Sequence, residues 1–263
     1  MSKWLILIWL LTIWGLSYCL PSIPIAANPQ SLFQFGQNVF TAVVSSPLDV
    51  QTGGPATYAS NATYTSPSFS TAGADLIILC GTVNTKYGSF TLGNIGATAA
   101  TIRGVSASSN ASNPDAACEA IVDSQARSGI TAAMTYSTAQ YWASTVMAFN
   151  PSLVLTTFHQ TTYVAETSSP LTHITSPALT LAGTSTELVV VFCRNNDVTG
   201  TVTDTVTSTP SNSWTQLQLW TNSNGFGPTA QASYTVGPGS GSTTFTCTPS
   251  STNSYQSMVV LDY

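Results

Sequence analysis

Cysteines carry the most definite chemistry in this chain of 263 residues. Of the five cysteines, Cys19 lies in an apolar leader, and Cys80, Cys118, Cys193 and Cys247 follow it. An even number of cysteines in an exported chain is typical of disulfides. The simplest of the three pairings that four cysteines allow joins Cys80 to Cys118 and Cys193 to Cys247. Buried free thiols are the alternative.

Side chains for nucleophilic or acid–base catalysis are few and scattered. The two histidines, His159 and His173, stand in strand-like or loop segments, and no G-x-S-x-G motif accompanies the serines. The ten acidic residues form no local cluster that would suggest the paired carboxylates of a glycoside hydrolase. We therefore predict no catalytic residues and no cofactor.

Oxygen ligands suited to Ca²⁺ are grouped once, just after Cys193. Asn195, Asn196 and Asp197, with Asp204 a short distance on, offer amide and carboxylate oxygens. No EF-hand spacing is present, and Asn and Asp are also the usual residues of a polar turn. We favour the turn and expect no metal, with Asp197 and Asp204 as the candidates for a calcium site.

Aromatic side chains form the candidate ligand site. Trp220, Phe226 and Tyr255 are candidates for a platform that stacks on a sugar ring while neighbouring Asn and Gln side chains bond its hydroxyls. Trp214 and Tyr234 belong to the same group. Core packing is the alternative interpretation, particularly for Trp214.

The segments that must position these residues occur twice in the sequence, as a repeat. Residues 65–80 and 175–193 both open with Thr-Ser-Pro, turn at Ala-Gly and end in an apolar strand at a cysteine. Each copy places one carboxylate before its apolar strand, Asp75 in the first and Glu187 in the second. Such a repeat indicates a duplicated unit.

The repeat extends to the end of the chain. Residues 128–150 align without a gap on residues 241–263. We therefore predict a lead-in segment at 28–37, repeat 1 at 38–150 and repeat 2 at 151–263. Each repeat is long enough to enclose a core of its own.

Short strands separated by turns run through both repeats. Residues 38–46 and 152–159 are predicted to be corresponding strands, and the apolar runs 76–79 and 188–192 to be strands buried on both faces. In residues 242–248, alternation turns Phe245 and Cys247 inward and Thr244 and Thr246 outward. Turns rich in Gly or Pro are predicted at 53–55, 93–96, 168–170, 225–228 and 237–241.

One segment fits two structures. Residues 113–129 begin with an Asn-Pro pair and end at a glycine, as a capped helix does. The repeat alignment instead places residues 118–123 over the strand-like segment 231–236, and we predict a strand. The fold class is then all-β: two tandem antiparallel β-sandwich domains of Ig-like or jelly-roll-like type.

The chain begins with a hydrophobic leader. Residues 4–16 are apolar and follow Lys3, as in a secretory signal peptide, and small residues allow cleavage after Ala27. The alternative is an uncleaved anchor, for which residues 4–20 are just long enough. We expect residues 1–27 to direct export, so that the protein is secreted or held at the cell surface.

The composition excludes one class of partner. Charged residues make up 6% of the chain, against about 25% in an average soluble domain. The net charge is −5 and the five basic residues are scattered, so nucleic-acid binding is not expected. The surface should be uncharged and rich in hydroxyls. Two sequons, at Asn61 and Asn110, matter only in a host that glycosylates exported proteins.

Residues 202–217, 231–250 and 257–263 resemble exported β-sandwich repeats of bacterial, archaeal and phage surface and fibre proteins. They carry a Val-Thr-Asp strand, an Asn-x-Trp-Thr element, a tyrosine-containing strand and a closing strand ending in Asp262 and Tyr263. The first repeat lacks the Asn-x-Trp element. The resemblance implies a surface, adhesive or fibre-building module rather than an enzyme, and it brings no site residues.

We therefore expect an exported, non-enzymatic structural or adhesive surface protein, a subunit of a filament, tail or surface layer that assembles through strand edges. Its partners would be further copies of itself or a surface glycan or protein, with membrane contact only through residues 4–20 if they are not cleaved. Residues 28–46 are a candidate strand for donation to a neighbouring subunit, pairing within their own domain being the alternative. A carbohydrate-binding protein is the second hypothesis and an extracellular glycoside hydrolase the third.

Overall fold

The computed structural model describes residues 33–35, 38–40, 46–56, 62–73, 75–83, 88–106, 115–138, 141–166, 171–196, 202–221, 228–251 and 256–263. These residues form an all-β structure in which every strand pairing is antiparallel and no helix occurs. No helix of membrane-spanning length and hydropathy is found in this part of the chain. The chain divides into two compact units, residues 1–45 and residues 46–263.

Of the first unit, the structure describes one hairpin. It is formed by β1 (Phe33–Phe35) and β2 (Asn38–Phe40), which pair along their whole length. Of the strand predicted at 38–46, residues 38–40 are β2 and residues 41–45 lie outside the described residues.

The second unit begins with an inner and an outer layer of sheet. Its first strands are β3 (Leu48–Ala56), β4 (Thr63–Thr65), β5 (Phe69–Thr71), β6 (Asp75–Val83), β7 (Phe90–Ile95), β8 (Thr98–Ala99), β9 (Thr101–Ser106), β10 (Asp115–Asp123), β11 (Arg127–Ile130), β12 (Ala132–Tyr136) and β13 (Trp142–Phe149). The inner sheet has the order β3-β13-β6-β10-β9. The outer layer consists of the sheet β4-β12-β7-β8 and the pair β11-β5.

The rest of the chain builds a second inner and a second outer layer. Its strands are β14 (Gln160–Glu166), β15 (Ile174–Thr175), β16 (Leu179–Leu181), β17 (Leu188–Asn196), β18 (Asp204–Thr209), β19 (Thr215–Gln216), β20 (Trp220–Thr221), β21 (Pro228–Val236), β22 (Gly241–Pro249) and β23 (Gln256–Asp262). The inner sheet has the order β14-β23-β17-β21-β19, with β20 also on β21. In the outer sheet β15, β16 and β18 all pair with β22.

The strand order is the same in the two halves of this unit. The inner order β3-β13-β6-β10-β9 matches β14-β23-β17-β21-β19, and the outer order β4-β12-β7 matches β15-β22-β18. The strand predicted within residues 113–129 is confirmed as β10, so the capped-helix alternative is wrong.

Three apolar cores separate the four layers. A first outer core lies between the first outer and inner sheets and includes Ile77 and Leu79. A central core lies between the two inner sheets and includes Ile78 and Val190. A third core lies under the second outer sheet and includes Val191. Both inner sheets are therefore covered on both faces, which explains the continuous apolar runs predicted at 76–79 and 188–192.

Three of the predicted boundaries are wrong. Of the turn expected at 93–96, residues 93–95 lie inside β7 and the turn begins at Gly96. The turn expected at 53–55 lies inside β3, and a proline is tolerated there because β3 is the terminal strand of its sheet. The strand expected at 152–159 is irregular, with turns at 151–153, and β14 starts only at Gln160.

The gapless alignment of 128–150 on 241–263 is wrong in its last strand. It sets Val146 over Val259, but Val146 faces the first outer core and Val259 faces the central core. A shift of one residue reverses the face of every side chain. The connection before β23, residues 250–255, is one residue longer than its counterpart, residues 137–141.

Candidate functional site

Both predicted disulfides are confirmed. Cys80 and Cys118 are directly opposed on β6 and β10, and their bond joins neighbouring strands of one sheet. Cys193 and Cys247 join the inner strand β17 to the outer strand β22. Although the two halves share a strand order, their disulfides therefore tie different elements together.

A methionine takes the place of the sheet-to-sheet disulfide in the first half. Met134 lies on β12, which corresponds to the Cys247 strand, and its Sδ is 3.1 Å from where a Cβ on Gly81 would stand. The indole of Trp142 lies 3.3 Å from the same Cβ position. The first half thus joins its layers by packing where the second half uses a covalent bond.

The described aromatic residues of the predicted sugar platform are half-buried or buried. Trp220 is half-buried, with its ring nitrogen 2.7 Å from where a Cβ on Gly53 would stand. Trp214 packs edge-on against Phe245, and Tyr234 is buried in the central core. Phe226 and Tyr255 lie outside the described residues, as do the sequon residues Asn61 and Asn110.

The histidines are both exposed. His159 Nδ1 lies 4.0 Å from Asp262 Oδ1, and His173 Nδ1 lies 3.1 Å from the Thr172 hydroxyl. In the part of the chain that the structure describes, no three His, Cys, Asp or Glu side chains are grouped so as to hold a metal ion. Asp197 lies outside the described residues.

The two carboxylates of the repeated segment have the same role. Asp75 Oδ2 accepts the backbone N–H of Gly73 at 3.1 Å, and Glu187 Oε1 accepts that of Ala182 at 3.0 Å. Each side chain thereby caps the Ala-Gly turn that precedes its own strand. The recurrence of Ala-Gly with a carboxylate is therefore structural in origin.

The outward side of the second outer sheet is a candidate interaction surface, which we call the threonine face. Burial alternates along β16, β18 and residues 242–249 of β22, so every second side chain points outward, with Thr244 and Thr246 half-buried. The outward residues are all hydroxyl-bearing: Thr175, Thr180, Thr205, Thr207, Thr209, Ser242, Thr244, Thr246 and Thr248. Threonine suits this position because its β-branched side chain favours strands.

The threonines of this face are in register across three strands. Thr207 on β18 is directly opposite Thr246 on β22, which is in turn opposite Thr175 on β15. The hydroxyls of Thr175 and Thr246 are 2.9 Å apart. Because neighbouring strands are about 4.7–4.9 Å apart, the face presents hydroxyls and methyls in a regular array.

Charge is almost absent from the described surface and concentrated in the interior. Among charged side chains whose burial is described, Asp49 is exposed, and Arg103 and Arg127 are half-buried. The others are buried: Asp75, Glu119, Asp123, Glu187, Arg194, Asp204 and Asp262. Most proteins have the opposite distribution, since charged groups are seldom fully buried. The threonine face is consequently uncharged.

A buried polar cluster lies beneath the threonine face, beside the third core. Asp204 Oδ2 accepts a hydrogen bond from Asn195 Nδ2 at 2.6 Å, and the Asp204 backbone N–H donates to Gln231 Oε1 at 2.8 Å. Gln256 Nε2 donates to Asn195 Oδ1 at 2.9 Å, and Gln216 Nε2 donates to the Asp204 carbonyl. Burial raises the pKa of Asp204 to about 7. The candidate calcium ligand thus has an amide, Asn195, as its partner.

Sequence reasoning found Asn195 and Asp204 but missed Gln256 and Thr229, which lie beside them. Both are fully or almost fully buried on inner strands. The available signal was a polar residue in a strand that is otherwise buried on both faces.

No protein-family model, curated protein or solved structure matches the chain.

Proposed function

We propose that this protein is an exported, non-enzymatic structural or adhesive surface protein, and that the threonine face is its contact surface. The observation that carries the proposal is the uninterrupted array of outward hydroxyls on strands β15, β16, β18 and β22. Two disulfides are compatible with an oxidising, extracellular environment.

The chemistry of this face favours an uncharged, hydroxyl-rich partner, and we assign a surface polysaccharide. Each threonine hydroxyl both donates and accepts hydrogen bonds, as sugar hydroxyls do. Thr175, Thr207 and Thr246 place such groups side by side without a charge to desolvate. A stack of four layers gives this array a rigid support.

We further infer that the two halves are tandem copies of one β-sandwich module. Their shared strand order and their two equivalent carboxylate-capped turns support this interpretation. The stacking of both copies on a common core suits a structural role, since each half buries its inner sheet against the other.

Co-sedimentation with a panel of insoluble polysaccharides tests the proposed contact. Wild-type protein should sediment with at least one of them, and the double variant Thr207→Lys/Thr246→Lys should bind at least tenfold more weakly. Asp49→Lys is the matched control, because it adds positive charge at an exposed site on β3, away from the face. Equal binding by all three proteins would exclude the threonine face, and no binding to any polysaccharide would exclude this adhesive role.

A further inference from the structure

The Thr229 hydroxyl is a buried nucleophile with no evident structural role. Thr229 lies on the inner strand β21 and is 0% exposed. Its Oγ1 has no hydrogen-bond partner among the described residues. A buried hydroxyl is normally paired, so an unpaired one calls for an explanation.

Asn195 is the residue of β17 that faces Thr229 of β21 across the strand pair. Ala230, next to Thr229, packs in the central core, and Cys193, two residues before Asn195, packs in the third core. Alternation therefore turns Thr229 and Asn195 together toward the second outer sheet. Residues so opposed have Cβ atoms about 4.5–5.5 Å apart, which brings the hydroxyl within reach of the amide carbon.

The hydrogen bonds of the Asn195 amide would favour attack on its carbonyl carbon. Its Oδ1 accepts a hydrogen bond from Gln256 Nε2 at 2.9 Å, which would stabilise negative charge developing on that oxygen. Its Nδ2 donates to Asp204 Oδ2 at 2.6 Å, which places an acid at the nitrogen that would leave. Asn195, Gln256 and Asp204 are each at most 1% exposed, so little water competes for the amide.

We propose that Thr229 and Asn195 form an intramolecular ester that cross-links β21 to β17. The Thr229 Oγ1–Asn195 Cγ bond forms, the Asn195 Cγ–Nδ2 bond breaks, and one ammonia leaves. Asp204 takes the hydroxyl proton and returns a proton to the leaving nitrogen, so it ends unchanged. The step needs no oxidant, reductant or second substrate.

Asp204 is suited to both proton transfers. Its Oδ1 has no hydrogen-bond partner among the described residues, while its Oδ2 already contacts the leaving nitrogen. Because burial raises its pKa to about 7, the carboxyl can both accept and give a proton at neutral pH.

The first half lacks this arrangement, so one cross-link per chain is expected. Gln256 is the register partner of Asn195, and the corresponding pair on β13 and β6 is Trp142 and Val83. Neither Trp142 nor Val83 carries an amide that could be attacked. The inference does not depend on the proposed adhesive function.

Intact-mass spectrometry of the secreted full chain, reduced and denatured, tests the cross-link. Wild-type protein should be lighter than its sequence by one ammonia, and proteolysis should yield one branched peptide containing residues 195 and 229 that hydroxylamine cleaves. Thr229→Val should have the full mass. Thr235→Val is the matched control, because Thr235 is buried on the same face of the same strand, and it should still lose ammonia.

Three results would overturn the proposal. The first is a wild-type mass that stays equal to the sequence mass after prolonged incubation at neutral pH. The second is a mass corresponding to replacement of the amide by a carboxyl, which would mean that water, not Thr229, reaches Asn195. The third is an ammonia loss that persists in Thr229→Val, which would indicate a cyclic imide with the Asn196 backbone.

Discussion

Carboxyl groups buried between the sheets decide how this protein responds to pH. Burial raises the pKa of Glu119 from 4.5 to about 7 and that of Asp204 from 3.8 to about 7. Burial and the neighbouring Glu187 carboxyl also raise the pKa of Asp262. Between the ordinary values and about pH 7, the folded state keeps protons that the unfolded chain has released. The free energy of unfolding therefore falls as the pH rises through this window.

Replacing Glu119 with Gln should weaken this pH dependence. The amide oxygen can still accept the Gly93 N–H, which Glu119 Oε2 does at 2.9 Å, but the side chain no longer ionises. We expect the Tm of the wild type to fall between about pH 4.5 and about pH 8, and Glu119→Gln to be more stable at the higher pH by about 1–3 kcal/mol. Thermal unfolding followed by circular dichroism measures both, with Asp49→Asn as an exposed control. A wild-type Tm that rises over this range would contradict the assignment.

At the scale of the elements, a single glycine decides how β7 pairs with β12. The register of these strands shifts between Ala133 and Thr135, and Gly93 lies opposite the irregularity. A Cβ on Gly93 would collide with the Ala133 carbonyl and with Glu119 Oε1. Because β12 and the buried Glu119 carboxyl both lie close to Gly93, no side chain fits at this position.

Gly93→Ala should therefore destabilise the protein by about 3 kcal/mol. Gly54→Ala is the matched control, because Gly54 is also a buried strand glycine but a Cβ there would meet no atom within 4 Å. Chemical denaturation of both variants gives the comparison. Equal stabilities for the two would show that β7 and β12 are not as close as described.

Much of the strand architecture could be predicted because local patterns specify it. The strands at the apolar runs 76–79 and 188–192 and the strand within 113–129 follow from composition and repetition. The cysteine pairing that the structure shows is the simplest of the three that the sequence left open. The register of the last strand could not be predicted, since β13 and β23 are buried on both faces and show no alternation of polar and apolar residues. The last residues of the edge strand β3 could not be predicted as a strand, because they carry a Gly-Gly-Pro sequence, which is usual for turns.

The candidate sites were predictable only in part. Alternation was enough to turn Thr244 and Thr246 outward. It could not show that Thr207 and Thr175 stand beside Thr246, because pairing between distant strands is a property of the tertiary fold. For the same reason, the sequence predicted Asn195 and Asp204 as members of one candidate site but did not indicate that Thr229 lies opposite Asn195.

At the scale of the whole molecule, the central core makes one folding unit of residues 46–263. Side chains of both inner sheets share this core, among them Phe149 of the first half, whose ring packs edge-on against Tyr234 of the second at 5.2 Å. Ser106 also donates a hydrogen bond to the Val164 carbonyl across the halves at 3.0 Å. Unfolding one half would expose the inner face of the other.

The two halves should consequently unfold in a single transition. Calorimetric and van't Hoff enthalpies should agree, and Cys193→Ala/Cys247→Ala should move the whole transition to lower temperature rather than split it. Loss of that bond, which spans 54 residues of sequence, should cost about 4 kcal/mol. Two separate transitions, with only one moved by the double variant, would mean that the halves fold independently.

The salt dependence of adsorption to an insoluble polysaccharide tests the proposed role of the threonine face most directly. Contact through uncharged hydroxyls predicts that the wild-type isotherm changes little as the salt concentration is raised, because there is little charge to screen. It also predicts that Thr207→Lys/Thr246→Lys stays weak at every salt concentration. Wild-type binding that disappears in high salt, or that the double variant retains in full, would contradict the account.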